Sequence, residues 1–575
     1  MKSKETFVRS HRILASSVAL LATLASTQAQ FTTPNVITTP GDTSISIGGT
    51  TFINHGLQGV GRISGSSLDA FGESFGSISG LHITNWSGSG SSYTGTFNIL
   101  SDRGINLTGY FSDYNARLQT LDFQFTPYTG AANIGGVDIA TRIAAQNQIA
   151  FTSAVSGVKF TYFDPIAGAQ VNTTGLDPTS STGTVFGTTV PYVTNYTGLG
   201  TPTSPAVSTF PINRLTLDSE ALVLRPDGSG YIGDEYGANV YHFNSSKQIT
   251  GVITPPAAVQ PHTPAGTLNF NSTVVPTNGR RNNQGMEGVA ISPDGTRLFT
   301  LLQSATMQDS ATGNAANRRV TRFMVYDVSG NATPSAPIAE YAFVLPTFRI
   351  DGNGSAVNTA AAQSDMIAID DHRLLILSRD GNGQGQPNAN QSVYKSVLLV
   401  DLNVGSPTNF AGTARDAEGG LLTTAPGVLD PAITPLTYVE ALNMLNSTQL
   451  SKFNIDLDLG GASQVTQLTL GEKWESLSLV PANDPLNPND YFLFLGNDND
   501  FLTSAGVSVG PGGSGSYNGF GTGFAANRIP APVENANNEN DTMFLAYRVT
   551  IVPEPGSALL LAGGAGLLLG RRRRF

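Results

Sequence analysis

The chain has no cysteine in 575 residues. That excludes thiol nucleophiles, thiolate-bound zinc and disulfide staples, so stability must come from core burial, sheet closure or bound metal. Charge is sparse as well: 13% of residues are Asp, Glu, Lys or Arg. Histidine is scarce and scattered. His11, His55, His82, His242, His262 and His372 stand singly, with no H-E-x-x-H pair. His82 alternates within a strand pattern and reads as a packed or edge side chain. No P-loop or dinucleotide fingerprint is found. Gly506-Val507-Ser508-Val509-Gly510 fits G-x-S-x-G, but no helix follows it, so it reads as a chance match. Helical periodicity is nearly absent; the clearest window, Thr437 to Leu450, predicts one short surface helix.

Turn formers are abundant, with 64 Gly and 32 Pro beside 39% hydrophobic residues. The composition is that of a large strand-rich domain. One stretch organises it. Asn283 to Gln303 reads as strand, tight turn, strand: Met286-Glu287-Gly288-Val289-Ala290-Ile291, then Pro293-Asp294-Gly295, then Arg297 to Leu302. Proline fixes φ, and glycine tolerates the positive φ that closes the turn. The same pattern opens at Glu220, Asp365 and Glu475 and, more loosely, at Ser79. Each second strand ends in polar residues: Asp102, Asp234 and Glu235, Arg379 and Asp380, Asp498 and Asp500. A third strand follows, as in Val320 to Val328 and Ser392 to Leu402. Repeated three- or four-stranded units predict an all-β fold, a β-propeller. Five units plus a divergent stretch between Ala131 and Ile212 predict six blades. Ser44 to Ile63 has strand character and either begins the first blade or completes the last.

The ends carry separate signals. Lys2, Lys4, Arg9 and Arg12, the apolar run Ile13 to Leu24 and Thr27-Gln28-Ala29 form a signal peptide, residues 1–29. Residues 30–43 read as a linker and 44–552 as the propeller domain. Residues 553–575 contain Pro553-Glu554-Pro555, the apolar segment Ala558 to Leu569 and Arg571 to Arg574. That order resembles the bacterial PEP-CTERM sorting signal, which implies processing by an exosortase-type enzyme, transient membrane contact through the tail, and a cell-surface or matrix destination. Each terminal segment carries three more basic than acidic groups, which puts the rest of the chain at −17 against −11 for the whole. Such a surface repels nucleic acid and favours cations.

In a propeller, equivalent positions of successive blades form a ring. Glu220, Glu287, Asp365 and Glu475 are expected to converge, and like charges at close quarters need a cation or a proton between them. Glu220, Glu235, Glu287, Asp365, Glu475 and Asp498 are therefore candidate metal ligands, with Ca²⁺ preferred over Mg²⁺ for an all-oxygen shell. Glu220, Glu287, Glu475, Arg379 and Asp380 are the candidate catalytic residues. The alternative is that these carboxylates cap backbone N–H groups or pair with Arg103 and Arg379.

Several segments together resemble the family called phytase-like, or esterase-like activity of phytase. They are Ser101-Asp102-Arg103-Gly104, Asp218-Ser219-Glu220-Ala221-Leu222, Asp234-Glu235-Tyr236-Gly237, Gly285-Met286-Glu287-Gly288, Arg379-Asp380-Gly381, and Trp474-Glu475-Ser476-Leu477 with Asn497-Asp498-Asn499-Asp500-Phe501. The resemblance runs from about Gly56 to Val552. It implies an exported propeller whose acidic residues support hydrolysis of a small phosphorylated or ester substrate. The family pattern places Glu before Arg-Asp, where this chain has Ser378. Two function classes follow: a metal-assisted phosphoester hydrolase, or a non-catalytic binding propeller of the extracellular matrix.

Overall fold

The structure is a computed structural model. It describes residues 29–553 except 66, 74, 105–113, 131–135, 179–181, 199–207, 273, 311–312, 386–390, 458–465 and 502–539. Both terminal signals and the G-x-S-x-G match lie outside the described residues, apart from Ala29 and Pro553 at their boundaries.

The turn chemistry read from the sequence is present. The N–H of Gly228 donates to the Arg225 carbonyl at 2.9 Å, and that of Gly295 to the Ser292 carbonyl at 2.8 Å. Both glycines have positive φ, 81° and 74°. Asp227 and Asp294 accept N–H groups two residues on, locking each turn.

These hairpins build five mainly antiparallel sheets, each with its first strand innermost. The first strands are Gly80–Ser89, Ser219–Leu224, Met286–Ile291, Ala362–Ala368 and Trp474–Pro481. Each packs against the next, and the fifth packs against the first, so they form a ring around a central channel. The architecture is all-β and propeller-like. The fifth sheet takes its two outer strands from the N-terminal part of the chain. Thr50–Ile63 pairs with Thr542–Pro553, and Thr43–Ile47 pairs with Thr50–Ile63. Strands nearly 500 residues apart in sequence are thereby joined in one sheet.

Five sheets, where the sequence predicts six, make up this ring among the described residues. Of the stretch expected to hold a further blade, Thr182–Val185, Thr188–Gly198 and Ser208–Leu215 form a separate three-stranded antiparallel sheet, while its earlier strands extend neighbouring sheets. Ile149–Phe151 and Ser156–Lys159 pair with Arg117–Phe125 of the first sheet. The hairpin Thr161–Asp164 and Ala169–Asn172 extends the second sheet through a parallel pairing with Gln248–Ile253. The predicted helix from Thr437 to Leu450 is also corrected. Thr437–Asn443 is the fourth strand of the fourth sheet, paired with Lys395–Asp401, and only Ser447–Ser451 turns helical. Sheet-edge pairing overrides the local periodicity there. Gln30–Phe31, within the expected linker, pairs in parallel with Thr347–Phe348.

Apolar side chains fill the spaces between sheets. Between the first and fifth, Phe97 stacks on Phe123 at 3.9 Å and on Phe544 at 4.7 Å, with Phe494 edge-on. Aromatic side chains of this size carry most of such an inter-sheet core. No helix among the described residues is long and apolar enough to cross a membrane.

Candidate functional site

A β-bulge recurs at one place in four of the five sheets. The register passes from Ser219↔Asp234 to Ala221↔Gly233, from Met286↔Leu302 to Gly288↔Leu301, from Gln363↔Ser378 to Asp365↔Leu377, and from Trp474↔Asn497 to Ser476↔Gly496. The extra residues are Glu220, Glu287, Ser364 and Glu475. A bulge leaves its extra residue out of the ladder and re-aims its side chain. Here it turns three glutamates into the mouth of the central channel.

The second strands supply a second ring. Glu235, Gln303 and Asp498 each follow the last paired residue of the strand. Their N–H groups donate to the carbonyls of Asp218, Gly285 and Lys473 at 2.8, 2.9 and 2.7 Å, which confirms the equivalence. Asp102 and Arg379 fill the corresponding place in the first and fourth sheets. These side chains line a cavity of about 510 Å³. Asp102, Asp218, Glu220, Glu235, Glu287, Asp380, Glu475, Asp498 and Asp500 line it, against the cations Arg103, Arg379 and Lys473.

The three cations are committed. Arg103 pairs with Asp218 at 2.8 Å and donates to Asn283 at 2.5 Å. Arg379 pairs with Glu475. Lys473 pairs with Asp498 at 2.8 Å and with Asp500. Asp102, Asp498 and Asp500 form one close group, and the Lys473 ammonium pairs with two of its three members, Asp498 and Asp500.

Glu220, Glu235 and Glu287 are different. All are buried, with relative exposures of 7, 3 and 2%, and an oxygen of each lies within 4.8 Å of the others. Oε2 of Glu287 is buried with no hydrogen-bond partner. Burial, then the charges of Glu287, Asp218, Glu235 and Glu475, raises the Glu220 carboxyl well above the usual carboxylate range. Burial and then Asp218 do the same to Glu235, and burial and then Glu475 to Glu287. Burial and mutual repulsion thus favour the protonated form of these carboxyls when no cation is bound. Its donors are all oxygen, with no histidine lining the cavity, which suits a hard divalent cation. Asn283 and Asp500, which line the cavity, and Phe501 beside them have φ of 53°, 54° and 56°, three of eleven non-glycine residues with positive φ among the described residues.

Two sequence candidates behave otherwise. Asp365 does not line this cavity. It stands one residue past the bulge, level with Ala221, Gly288 and Ser476, and period-2 alternation turns it away. Its Oδ2 accepts the Leu477 N–H of the neighbouring first strand at 2.9 Å, and its Oδ1 accepts its own Met366 N–H at 2.8 Å. It clasps two blades together and borders a separate apolar cavity of about 430 Å³ farther along the channel, which His82 also lines. Asp380 lines the acidic cavity, but its carboxylate is occupied. It accepts the N–H groups of Val393 and Tyr394 at 2.5 and 2.8 Å and Nζ of Lys395 at 2.7 Å. Asp234 is likewise a cap, accepting from Asp218 and Gly237, and burial raises it to about 7. Sequence reasoning missed Gln303, Lys473 and Asp218 as lining residues. Aligning the repeats on the bulge, rather than on acidic residues, finds Gln303.

An all-β ring with a buried oxygen-rich cavity defines the class: a propeller-like protein with a charged central site. The family described as phytase-like, esterase-like activity of phytase, matches residues 73–501. An uncharacterized secreted protein of Arthroderma benhamiae is 30% identical over 485 residues, covering 80% of this chain and 90% of that protein. The chain belongs to the phytase-like family. Among solved structures, hydrazine synthase of Kuenenia stuttgartiensis is similar over 75% of this chain and 79% of its own, at 8% identity and a TM-score of 0.25. The PQQ-bound aldose sugar dehydrogenase of Streptomyces coelicolor is similar over 86% and 100%, at 10% identity and 0.24.

Proposed function

We propose that the protein is an exported hydrolase of phosphomono- or phosphodiesters that works with a divalent cation, Ca²⁺ before Mg²⁺, in the central acidic cavity. The observation that carries this reading is the group Glu220, Glu235 and Glu287. Three buried carboxylates share one place, none of them in a salt bridge among the described residues, and one oxygen of Glu287 has no hydrogen-bond partner. Such a group is costly as it stands and is relieved by a bound cation. Family membership supports the reaction class, and the secreted relative supports export.

Glu220, Glu235 and Glu287 would hold the ion, which supplies neutralisation and polarisation of a phosphoryl oxygen when bound. Arg379 stands at the same cavity with its Nε buried and unpartnered, so it can donate to an anionic oxygen while Glu475 fixes its guanidinium. Glu287 also lies within the field of Arg379. A glutamate oxygen not spent on the ion accepts the proton of the attacking water. Asp380 acts in this scheme by fixing its loop, not by touching substrate. The N-terminal signal peptide and the PEP-CTERM-like tail complete the proposal: export, processing by an exosortase-type enzyme, and a surface or matrix destination.

The test is hydrolysis of p-nitrophenyl phosphate and bis-p-nitrophenyl phosphate by the full chain with CaCl₂ and with EDTA. Calcium-dependent turnover that is lost in Glu287→Gln supports the reading. Calcium binding with no turnover of either ester favours the binding-propeller alternative. Neither binding nor turnover overturns the metal site altogether.

A further inference from the structure

We propose that Gln303 is the neutral oxygen donor of this cation site and sets its affinity. The inference rests on the cation reading above and adds a residue outside the acidic set. Its first support is the repeat. In the second sheet, the bulged Glu220 and the strand-end Glu235 bring carboxylate oxygens within 4.8 Å of each other. In the third sheet, the bulged residue is Glu287 and the strand-end residue is Gln303. The two are related by the same register step and the same backbone bond, Gln303 N–H to the Gly285 carbonyl at 2.9 Å. Gln303 therefore bears to Glu287 the relation that Glu235 bears to Glu220. Glu287 itself lies within 4.8 Å of both other glutamates, and Gln303 lines the same cavity.

The second support is independent of the repeat. Oε1 of Gln303 is buried without a hydrogen-bond partner, the residue is 8% exposed, and it lines the cavity. Buried amide oxygens are ordinarily satisfied, and an orphan acceptor beside an orphan carboxylate oxygen marks the place of a donor or a cation. Both orphans belong to the third sheet. The remaining strand-end positions hold charged side chains, Asp102, Glu235, Arg379 and Asp498, so among the described residues only the third sheet has a neutral oxygen at this position. A carbonyl-type oxygen completes a calcium shell without adding a fourth mutually repelling charge, and carboxylate count is the principal control of affinity in such sites.

The experiment is a titration of the full chain with CaCl₂, by calorimetry and by melting temperature, for wild type, Gln303→Met and Gln303→Glu. Methionine keeps length and removes the oxygen; glutamate keeps the oxygens and adds a charge. Loss of this ligand should weaken Ca²⁺ binding by roughly tenfold or more, while the melting temperature in EDTA stays near wild type. The glutamate variant should bind Ca²⁺ more tightly than wild type at neutral pH. If wild type binds Ca²⁺ and the methionine variant binds it equally well, the role of Gln303 is overturned and the cation site stands. If wild type binds none, both fall. Should the methionine variant not fold, the glutamate variant decides, and unchanged or weaker affinity in it overturns the proposal.

Discussion

Replacing Glu287 with glutamine should move intrinsic stability and calcium response in opposite directions. Glu287 is 2% exposed, has one oxygen without a partner, and is raised well above the usual carboxylate range by burial and then by Glu475. Keeping such a group in the fold costs about 1.4 kcal/mol for each pH unit between its ordinary and raised values, up to the working pH. At about pH 7.5 the ceiling is about 4 kcal/mol. Residual desolvation of the amide offsets part of this, so a gain of about 1–3 kcal/mol is expected for the cation-free variant. Unfolding entropy near 2.1 cal/mol/K per residue makes this about 1 °C per kcal/mol for a fold of this size. Wild type at a calcium concentration of about 100 times Kd gains about 2.7 kcal/mol by mass action, and the variant should lose most of that increment. Scanning calorimetry in EDTA and in CaCl₂ should thus show the variant melting above wild type in the first buffer, with that advantage removed or reversed in the second. A variant that melts lower in EDTA and keeps the full calcium increment would show that Glu287 is a structural cap. The cation reading would then lose its main support.

Protonation should oppose calcium. Glu220, Glu235 and Glu287 have folded pKa values raised above the ordinary 4.5, so the cation-free fold is favoured below that pH and loses stability as pH rises through the raised values. Melting temperature in EDTA should fall over that window and calcium affinity should rise over it, and a flat profile for both would contradict the buried triad. Asp380→Asn should lower stability by about 3–5 kcal/mol in chemical denaturation, because Lys395 is left buried without its charge partner, yet calcium affinity should not change. Asp365→Ala should cost about 1–3 kcal/mol by orphaning the Leu477 N–H, again with calcium binding intact. Lys473→Met should create a second calcium site at Asp102, Asp498 and Asp500, seen as a rise in calorimetric stoichiometry.

Much of the fold was legible because its signals are local. Pro226-Asp227-Gly228 and Pro293-Asp294-Gly295 specify turns that need nothing beyond themselves, and the strands beside them alternate or run apolar as inner strands must. Blade number was not legible, since it depends on partners distant in sequence. Nothing within Thr161–Asp164 says that it will join Gln248–Ile253, nor does Thr50–Ile63 announce Thr542–Pro553 as its neighbour. The window from Thr437 failed for the same reason: its apolar spacing suits a helix face, but an open sheet edge beside Lys395–Asp401 took it as a strand.

The site shows how a one-residue displacement decides chemistry. Glu220, Glu287 and Glu475 were found because a glutamate at the start of an inner strand is conspicuous. In the fourth unit the conspicuous acid, Asp365, is one place late, and the true equivalent is Ser364. In a strand that step reverses the face, so Asp365 becomes a clasp on Leu477 while Ser364 takes the ring position. The bulge itself has no residue signature; it appears only when the partner strand is known. What distinguishes the functional positions is therefore conflict with ordinary folding rules, not residue type alone. Asp234, Asp365 and Asp380 are as acidic as their neighbours, but each has backbone N–H partners and accounts for itself structurally. Glu287 and Gln303 do not: each keeps a buried oxygen that the fold leaves unsatisfied. Glu287 and Gln303 are neighbours on one cavity, so their two open oxygens give up stability together at the mouth of the channel. Unsatisfied groups gathered at one point are where a ligand completes the structure.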